Sequence, residues 1–206
     1  MPMTYRPART AFIVFFAAAL LLAGSAVAVL AQAQSTSIDG NVSAVSGNML
    51  SLTLADGSSK MVSLQPGTLV LAREAATLES IKPMETLGVA ARRESDGSLT
   101  ANNINIFSPE LWYQVRKGQF PMQSGDVMTN ALVTDYVLGV QGRVLRMRYH
   151  DLVTTINVPA GVRISRLITE PRADLKAGMH VLIRGTTSAQ GGLAAGSIIY
   201  DLPAKG

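Results

Sequence analysis

The sequence predicts an all-β protein: two tandem small β-barrels, each with one short helix, following an N-terminal signal helix. Three observations predict this. Short runs alternate apolar and polar residues with period 2, the pattern of half-buried strands. The chain repeats itself at an offset of 94 to 95 residues. Its first 33 residues have the layout of an export signal.

That leader has a basic start at Arg6 and Arg9, an apolar run from Ala11 to Leu30, and Ala31-Gln32-Ala33 ahead of Gln34. Small residues at the −3 and −1 positions suit Sec-type cleavage. No Arg-Arg pair precedes the run, so a twin-arginine route is not expected. An uncleaved anchor is the alternative, since about 20 apolar residues span a bilayer. Gly24, Ser25 and the alanines weaken the run in that role. Membrane contact is expected only through this segment, and only if it stays attached. The remainder is expected in the periplasm or outside the cell.

Composition narrows the classes further. The 206 residues are 48% hydrophobic, 16% charged and free of cysteine. Disorder is excluded by the apolar balance, and thiol catalysis, Cys-ligated zinc and disulfides by the missing cysteine. Without Arg6 and Arg9, 16 basic residues face 14 acidic ones. Residues 34–110 hold 5 basic and 8 acidic residues, residues 111–206 hold 11 and 6.

The repeat organises the rest. Val45-Ser46-Gly47-Asn48-Met49-Leu50 lies over Val140-Gln141-Gly142-Arg143-Val144-Leu145 at an offset of 95. Val62, Leu64, Gly67 and Val70 then match Ile156, Val158, Gly161 and Ile164 at 94. Leu87 and Val89 match Val181 and Ile183, and Gly97, Leu99, Ala101 and Ile104 match Gly191, Leu193, Ala195 and Ile198. Two copies make tandem domains, not a solenoid. The predicted segments are 1–33 signal, 34–107 first barrel, 108–132 an aromatic and basic connector, and 133–206 second barrel.

Each copy reads as strands. Leu50, Leu52 and Leu54 share one face of Asn48–Leu54; Leu145, Met147 and Tyr149 share the inner face of its counterpart. Asp56-Gly57 turns the chain into Met61–Leu64, and later strands are Leu87–Ala91, Leu99–Phe107, Val181–Arg184 and Leu193–Tyr200. Thr77-Leu78-Glu79-Ser80-Ile81, capped by Thr77, is the helical candidate of copy one, and Pro171–Lys176 that of copy two, stopped by Gly178. Five short strands with a brief helix suggest a nearly closed barrel, OB-like in outline, with a two-sheet sandwich as the alternative. Such thin cores suggest that the copies dock.

The pattern Val-x-Gly-x-x-Leu, Val-x-Leu-x-x-Gly-Thr, Leu-Lys-x-Gly, Gly-x-Leu-x-Ala-x-x-Ile resembles a widespread family of exported OB-like domains of unknown function. Ser124-Gly125-Asp126-Val127-Met128-Thr129-Asn130-Ala131 resembles a group of small exported proteobacterial proteins with Met-Thr-Asn-Ala there, some labelled "metal ABC transporter permease". The resemblance covers nearly the whole mature chain and implies the fold. A permease needs several apolar spans, and this chain has one such run. In that group the preceding segment is rich in Gly with a His; here it is Leu111-Trp112-Tyr113-Gln114-Val115-Arg116-Lys117-Gly118-Gln119-Phe120-Pro121.

Three surfaces are candidates. Phe107, Trp112, Tyr113 and Phe120, interleaved with Arg116 and Lys117, form either a stacking platform or the filling of the seam between domains. Thr129 and Asn130 form a ligand-facing turn or satisfy local backbone groups ahead of the second barrel. Arg146, Arg148 and His150 share one outer face; with His180 and Arg184 they offer an anion-binding surface or a solvated face. Nucleic acid is not expected, because the strand faces lack stacking aromatics. No metal site and no cofactor are expected, since the two His residues have no ligand spacing and Met49, Met61, Met147 and Met179 suit core positions. No nucleophile elbow, Walker loop or dinucleotide motif is present, so an enzyme is not expected. The expected function is a non-enzymatic binding or assembly module with an envelope protein or small ligand as partner. The alternative is an envelope metal-handling accessory of a transport system.

Overall fold

The computed structural model describes residues 34–122, 124–139, 142–187 and 192–203. The expected signal segment, residues 1–33, lies outside them. The described residues belong to one compact unit, Ala31–Gly206. Its strands are β1 (Gln34–Ser46), β2 (Met49–Thr53), β3 (Ser59–Ala75), β4 (Thr86–Arg93), β5 (Leu99–Phe107), β6 (Gly118–Pro121), β7 (Val127–Gly139), β8 (Gly142–Tyr149), β9 (Leu152–Val158), β10 (Arg163–Glu170), β11 (His180–Thr187) and β12 (Leu193–Asp201).

The predicted helices are single 3-10 turns, at Leu78–Ser80 and Arg172–Asp174. Pro83 stops the first from growing, because the residue before a proline avoids helical backbone. Ile81 N–H closes that turn on the Leu78 carbonyl at 3.1 Å.

The alternation places the core as expected. Leu50, Leu52, Leu145, Met147 and Ile156 are fully buried, and Val62 matches them. Which strands these faces pack against is another matter. β11, β1, β2, β3 and β12 close a five-stranded barrel, antiparallel except for the parallel β3–β12 seam. Three of its strands come from the first repeat and two from the second. The complementary strands form a second ring: β4 pairs with β5 and β7, β7 with β8, and β8 with β9. β5 returns to this ring parallel to β10, touching β9 at Thr100–Asn157.

The expectation of one barrel per repeat is therefore corrected, and the boundaries at 107 and 133 do not divide the unit. The cause is β3. Its 17 residues run out of the first ring and pair antiparallel with β10, Val70–Ala75 against Ser165–Glu170. The chain after β3 is thereby delivered to the other ring, and the chain after β10 is delivered back.

The exchange has an approximate two-fold symmetry. Leu69 pairs with Ser197 as Arg163 pairs with Asn103, the same contact with both residues moved by 94 positions. Arg73 faces Leu167, its own counterpart at that offset, so the axis passes there. β1 and β7 relate at 91 and not 95: Asp39 faces Leu182 as Asn130 faces Gly88. The four extra residues lie in the chain between Val137 and Val144, which pair with each other as Ser46 and Met49 do.

Each ring has its own apolar core, one around Leu50, Val62, Ile183 and Ile198, the other around Leu87, Ile104, Leu145 and Ile156. A third cluster fills the seam: Leu71, Leu111, Leu167 and Ile199, with Phe107, Val115 and Leu182 against it.

Candidate functional site

The seam is not completely filled. β5 turns Ala101, Ile104 and Ile106 into its ring and presents Asn103, Asn105 and Phe107 on the opposite face. These three, with Gly88 of β4 and Met128 and Asn130 of β7, form one wall of a cavity of about 320 Å³. Arg73, Leu167, Arg184 and Ile199 form the other wall. Gly88 keeps the space open: a Cβ there would lie 2.8 Å from the Phe107 ring and 2.9 Å from Asn130 Oδ1.

The polar groups of this cavity are unevenly satisfied. Asn130 Nδ2 donates to the Arg116 carbonyl at 3.0 Å, which turns its Oδ1 the other way. That oxygen is buried and accepts no hydrogen bond. Asn105 Nδ2 donates to Asn103 Oδ1 at 3.0 Å. Arg73 is fixed by a forked contact to Asp201, with Nη2 donating to Oδ2 at 3.0 Å. Arg184 forms no ion pair with any described residue. The lining therefore offers two guanidinium groups, one of them neutralised, three amides and a rim of apolar atoms.

A second cavity of about 310 Å³ adjoins it, sharing Arg73 and Ile199. Here the charges answer one another. His180 Nε2 lies 2.8 Å from Asp39 Oδ1, and Asp201 receives Arg163 as well as Arg73. The hydrogen bond from Arg73 holds the Asp201 carboxyl below its ordinary range; burial opposes this, and the charges of Arg73, Arg163 and His180 add to it. Burial, then Glu170 and Asp174, push the Tyr200 phenol up. A shallower hollow of about 520 Å³ lies between β1, β11 and β12, where Ser35, Ser37, Thr186 and Ser197 surround Arg184.

The aromatic connector divides its tasks. Leu111 and Val115 go into the seam, and Phe107 lines the cavity. Trp112 is half-buried, its Nε1 donating to the Phe107 carbonyl at 2.8 Å. Tyr113 is 96% exposed. Arg116 lies over the Phe120 ring at 4.2 Å. No two of these four rings stack on each other among the described residues, so they form no common platform. Lys117 Nζ donates to Thr86 Oγ1 at 2.9 Å, and burial pushes its ammonium pKa down.

Met-Thr-Asn-Ala is not a turn. Met128, Thr129, Asn130 and Ala131 lie within β7, with β4 on one side and β6 on the other over Met128–Asn130. Thr129 is wholly buried with an unbonded hydroxyl, and only Asn130 and Met128 reach the cavity. The predicted basic face is split by the exchange. Arg146, Arg148 and His150 are exposed on or just after β8, in the second ring, whereas Arg184 and His180 belong to β11 in the first. Arg184 joins Arg73 instead. Met179 packs on the first core, its sulfur accepting the Lys176 N–H, while His180 turns to Asp39. No three His, Asp or Glu side chains converge among the described residues.

No protein-family model, curated protein or solved structure matches this chain. What the site can do is therefore set by its own residues. Arg73, Gly88, Asn103 and Asn105 escaped the sequence reading. Asn102, Asn103 and Asn105 within an otherwise apolar strand were the available signal; Arg73 had none, because only the β3–β10 pairing brings it there.

Proposed function

We propose that this chain is an exported, non-enzymatic binding module whose seam cavity holds a small acidic, hydroxylated ligand of the sugar-acid or hydroxy-acid class. The observation behind this reading is that Asn130, whose Oδ1 is buried and unpartnered, lines the same cavity as Arg184. An unmet buried acceptor costs about 1–3 kcal/mol, and a ligand hydroxyl would remove that cost. A guanidinium group without a partner suits a carboxylate, which it grips through two parallel N–H groups. Phe107, Met128 and Ile199 offer apolar contact to a ring face. The size, at the lower end of ligand pockets, suits one sugar ring and not a polymer. The lining has no carboxylate, imidazole, hydroxyl or amine to move a proton, which supports binding without turnover. The strand order β1-β2-β3-β12-β11 of the closed barrel supports an OB-like description of each ring.

Thermal melting of the exported chain tests the reading. A sugar acid such as glucuronate or galacturonate at about 100 times its Kd should add roughly 2.7 kcal/mol, a rise of a few degrees. The matching neutral sugars should add little, and Arg184→Ala or Asn130→Asp should abolish the rise. A flat response to all acids would refute this ligand class. Stabilisation by a divalent metal alone would favour the metal-handling alternative.

A further inference from the structure

The two-fold relation exposes a missing strand. In the second ring the first half of β7 is covered on both edges: β4 on one, β6 on the other, with Gly118–Pro121 against Asn130–Val127. In the first ring β1 is the counterpart of β7, at an offset of 91. β11 covers one edge over Gln34–Asn41, but β2 reaches the other edge only from Asn41 onward. Among the described residues nothing pairs with that second edge of residues 35–39.

Val42 exchanges both hydrogen bonds with Met179 and Gly178 beside β11: its N–H reaches the Met179 carbonyl, and its carbonyl takes the Gly178 N–H. Strand residues alternate in direction, so Ile38 and Thr36 also face β11, and Asp39, Ser37 and Ser35 face away. Met122 N–H reaches the Asp126 carbonyl at 2.8 Å, and by the same alternation Met128 and Asn130, the counterparts of Ser37 and Asp39, face β6. Three N–H groups and three carbonyls thus form an open template of the kind that is already occupied in the sister ring.

From this edge we infer that the chain self-associates: β1 of one copy pairs antiparallel with β1 of a second copy, about a two-fold axis through Ser37. In that register Ser37 faces Ser37 of the partner subunit, Ser35 faces the partner's Asp39, and Thr36 faces the partner's Ile38. Six hydrogen bonds would form, all from groups of known direction. Natural edges are guarded by Lys, Pro, bulges or a covering element; Ser35-Thr36-Ser37-Ile38 has none of these residues, and its bulge comes later, after Val42. No like charges meet across the axis, and Ser and Thr pairs are favourable strand neighbours. A symmetric pairing of one patch with itself also closes at two copies.

The same offset of 91 places the counterpart of β6 at residues 27–30, inside the leader. The inference therefore rests on the cleavage expected after Ala33, which would remove the chain's own candidate for this edge. The experiment uses chain expressed with its leader and recovered from the envelope, its N-terminus fixed by mass spectrometry. Sedimentation should show a concentration-dependent dimer. Ser37→Pro removes an N–H that the fold does not use and should weaken association at least about tenfold, with melting unchanged at concentrations where both chains are monomeric. The chain has no cysteine, so Ser37→Cys should form a disulfide dimer on mild oxidation; Ser35→Cys, about 13 Å from its own symmetry mate, should not. Should Ser37→Pro fail to fold, the two cysteine variants decide alone. A monomeric chain beginning at Gln34, a dimer indifferent to Ser37→Pro, or equal crosslinking at both positions would overturn the inference. So would a monomer retaining residues 1–33, and the measured mass separates that failure of cleavage from a failure of pairing.

Discussion

The two cavities at the seam occupy two-fold-related positions and are chemically opposite. Asp39, Leu182, Ile199, Asp201 and Arg73 line one; their counterparts Asn130, Gly88, Asn105, Phe107 and Leu167 line the other. On one side acids and bases sit at paired positions and neutralise each other. On the other side the acids are replaced by an amide and a ring, and a side chain is replaced by Gly88. The first arrangement satisfies its own charges, and its Arg163–Asp201 pair reaches from β10 to β12. The second leaves an unmet acceptor and a usable cation. Two symmetry-related seams within one chain allow this division, because one can be satisfied internally while the other is left open.

The largest effect that probes this comparison lies at the bulges. β4 shifts register between Ala90 and Ala91, and β11 between Arg184 and Gly185, the counterpart positions. Ala91 is accommodated and fully buried, yet a Cβ on Gly185 would lie 2.0 Å from the Ala194 carbonyl oxygen. Gly185→Ala should cost about 3 kcal/mol or more, whereas Ala91→Gly should cost about 1 kcal/mol; urea denaturation reads both. Equal costs would show that the two bulges are alike after all.

Arg73→Leu places the residue type of Leu167 on both sides of the axis. Loss of the forked contact to Asp201 should cost about 2 kcal/mol. The pH dependence carries a sharper sign. The folded Asp201 carboxyl lies below its ordinary value near ~3.9, so its stabilisation is complete above that value and is lost as pH falls through the lower folded one. Stability of the parent should therefore fall in that acid range, and the Arg73→Leu variant should lose this part of the fall. Smaller still, Trp112→Phe removes the bond to the Phe107 carbonyl and should cost about 1 kcal/mol. Tyr113→Ala should stay within about 0.5 kcal/mol, since its ring is exposed; a larger loss would restore a structural role to the whole connector.

Much of the strand content was readable because burial on one face leaves a period of 2. Leu50, Leu52, Leu145 and Met147 declared themselves in that way. Strand partnership was not readable, because alternation records which face is hidden and not what hides it. Leu87 has the same pattern whether it closes its own repeat's barrel or the other's. Polar strands were missed for the same reason: β1 begins Gln34-Ser35-Thr36-Ser37, with few apolar residues to count. The site failed along with the partnership. Asn130 and Arg184 were singled out from different surfaces, and their common cavity exists only because β11 has crossed to the first ring and left β4 beside β7.

The exchange of strands between repeats is best tested by dividing the chain at the exposed Tyr113–Gln114 bond and expressing residues 34–113 and 114–206 apart and together. Each fragment alone should lack a cooperative unfolding transition, because neither holds all the strands of either ring: β1–β3 and β4–β5 fall in one, β6–β10 and β11–β12 in the other, and co-expression should restore one stable complex. Two fragments that fold separately and ignore each other would show that each repeat closes its own barrel, contrary to the arrangement described.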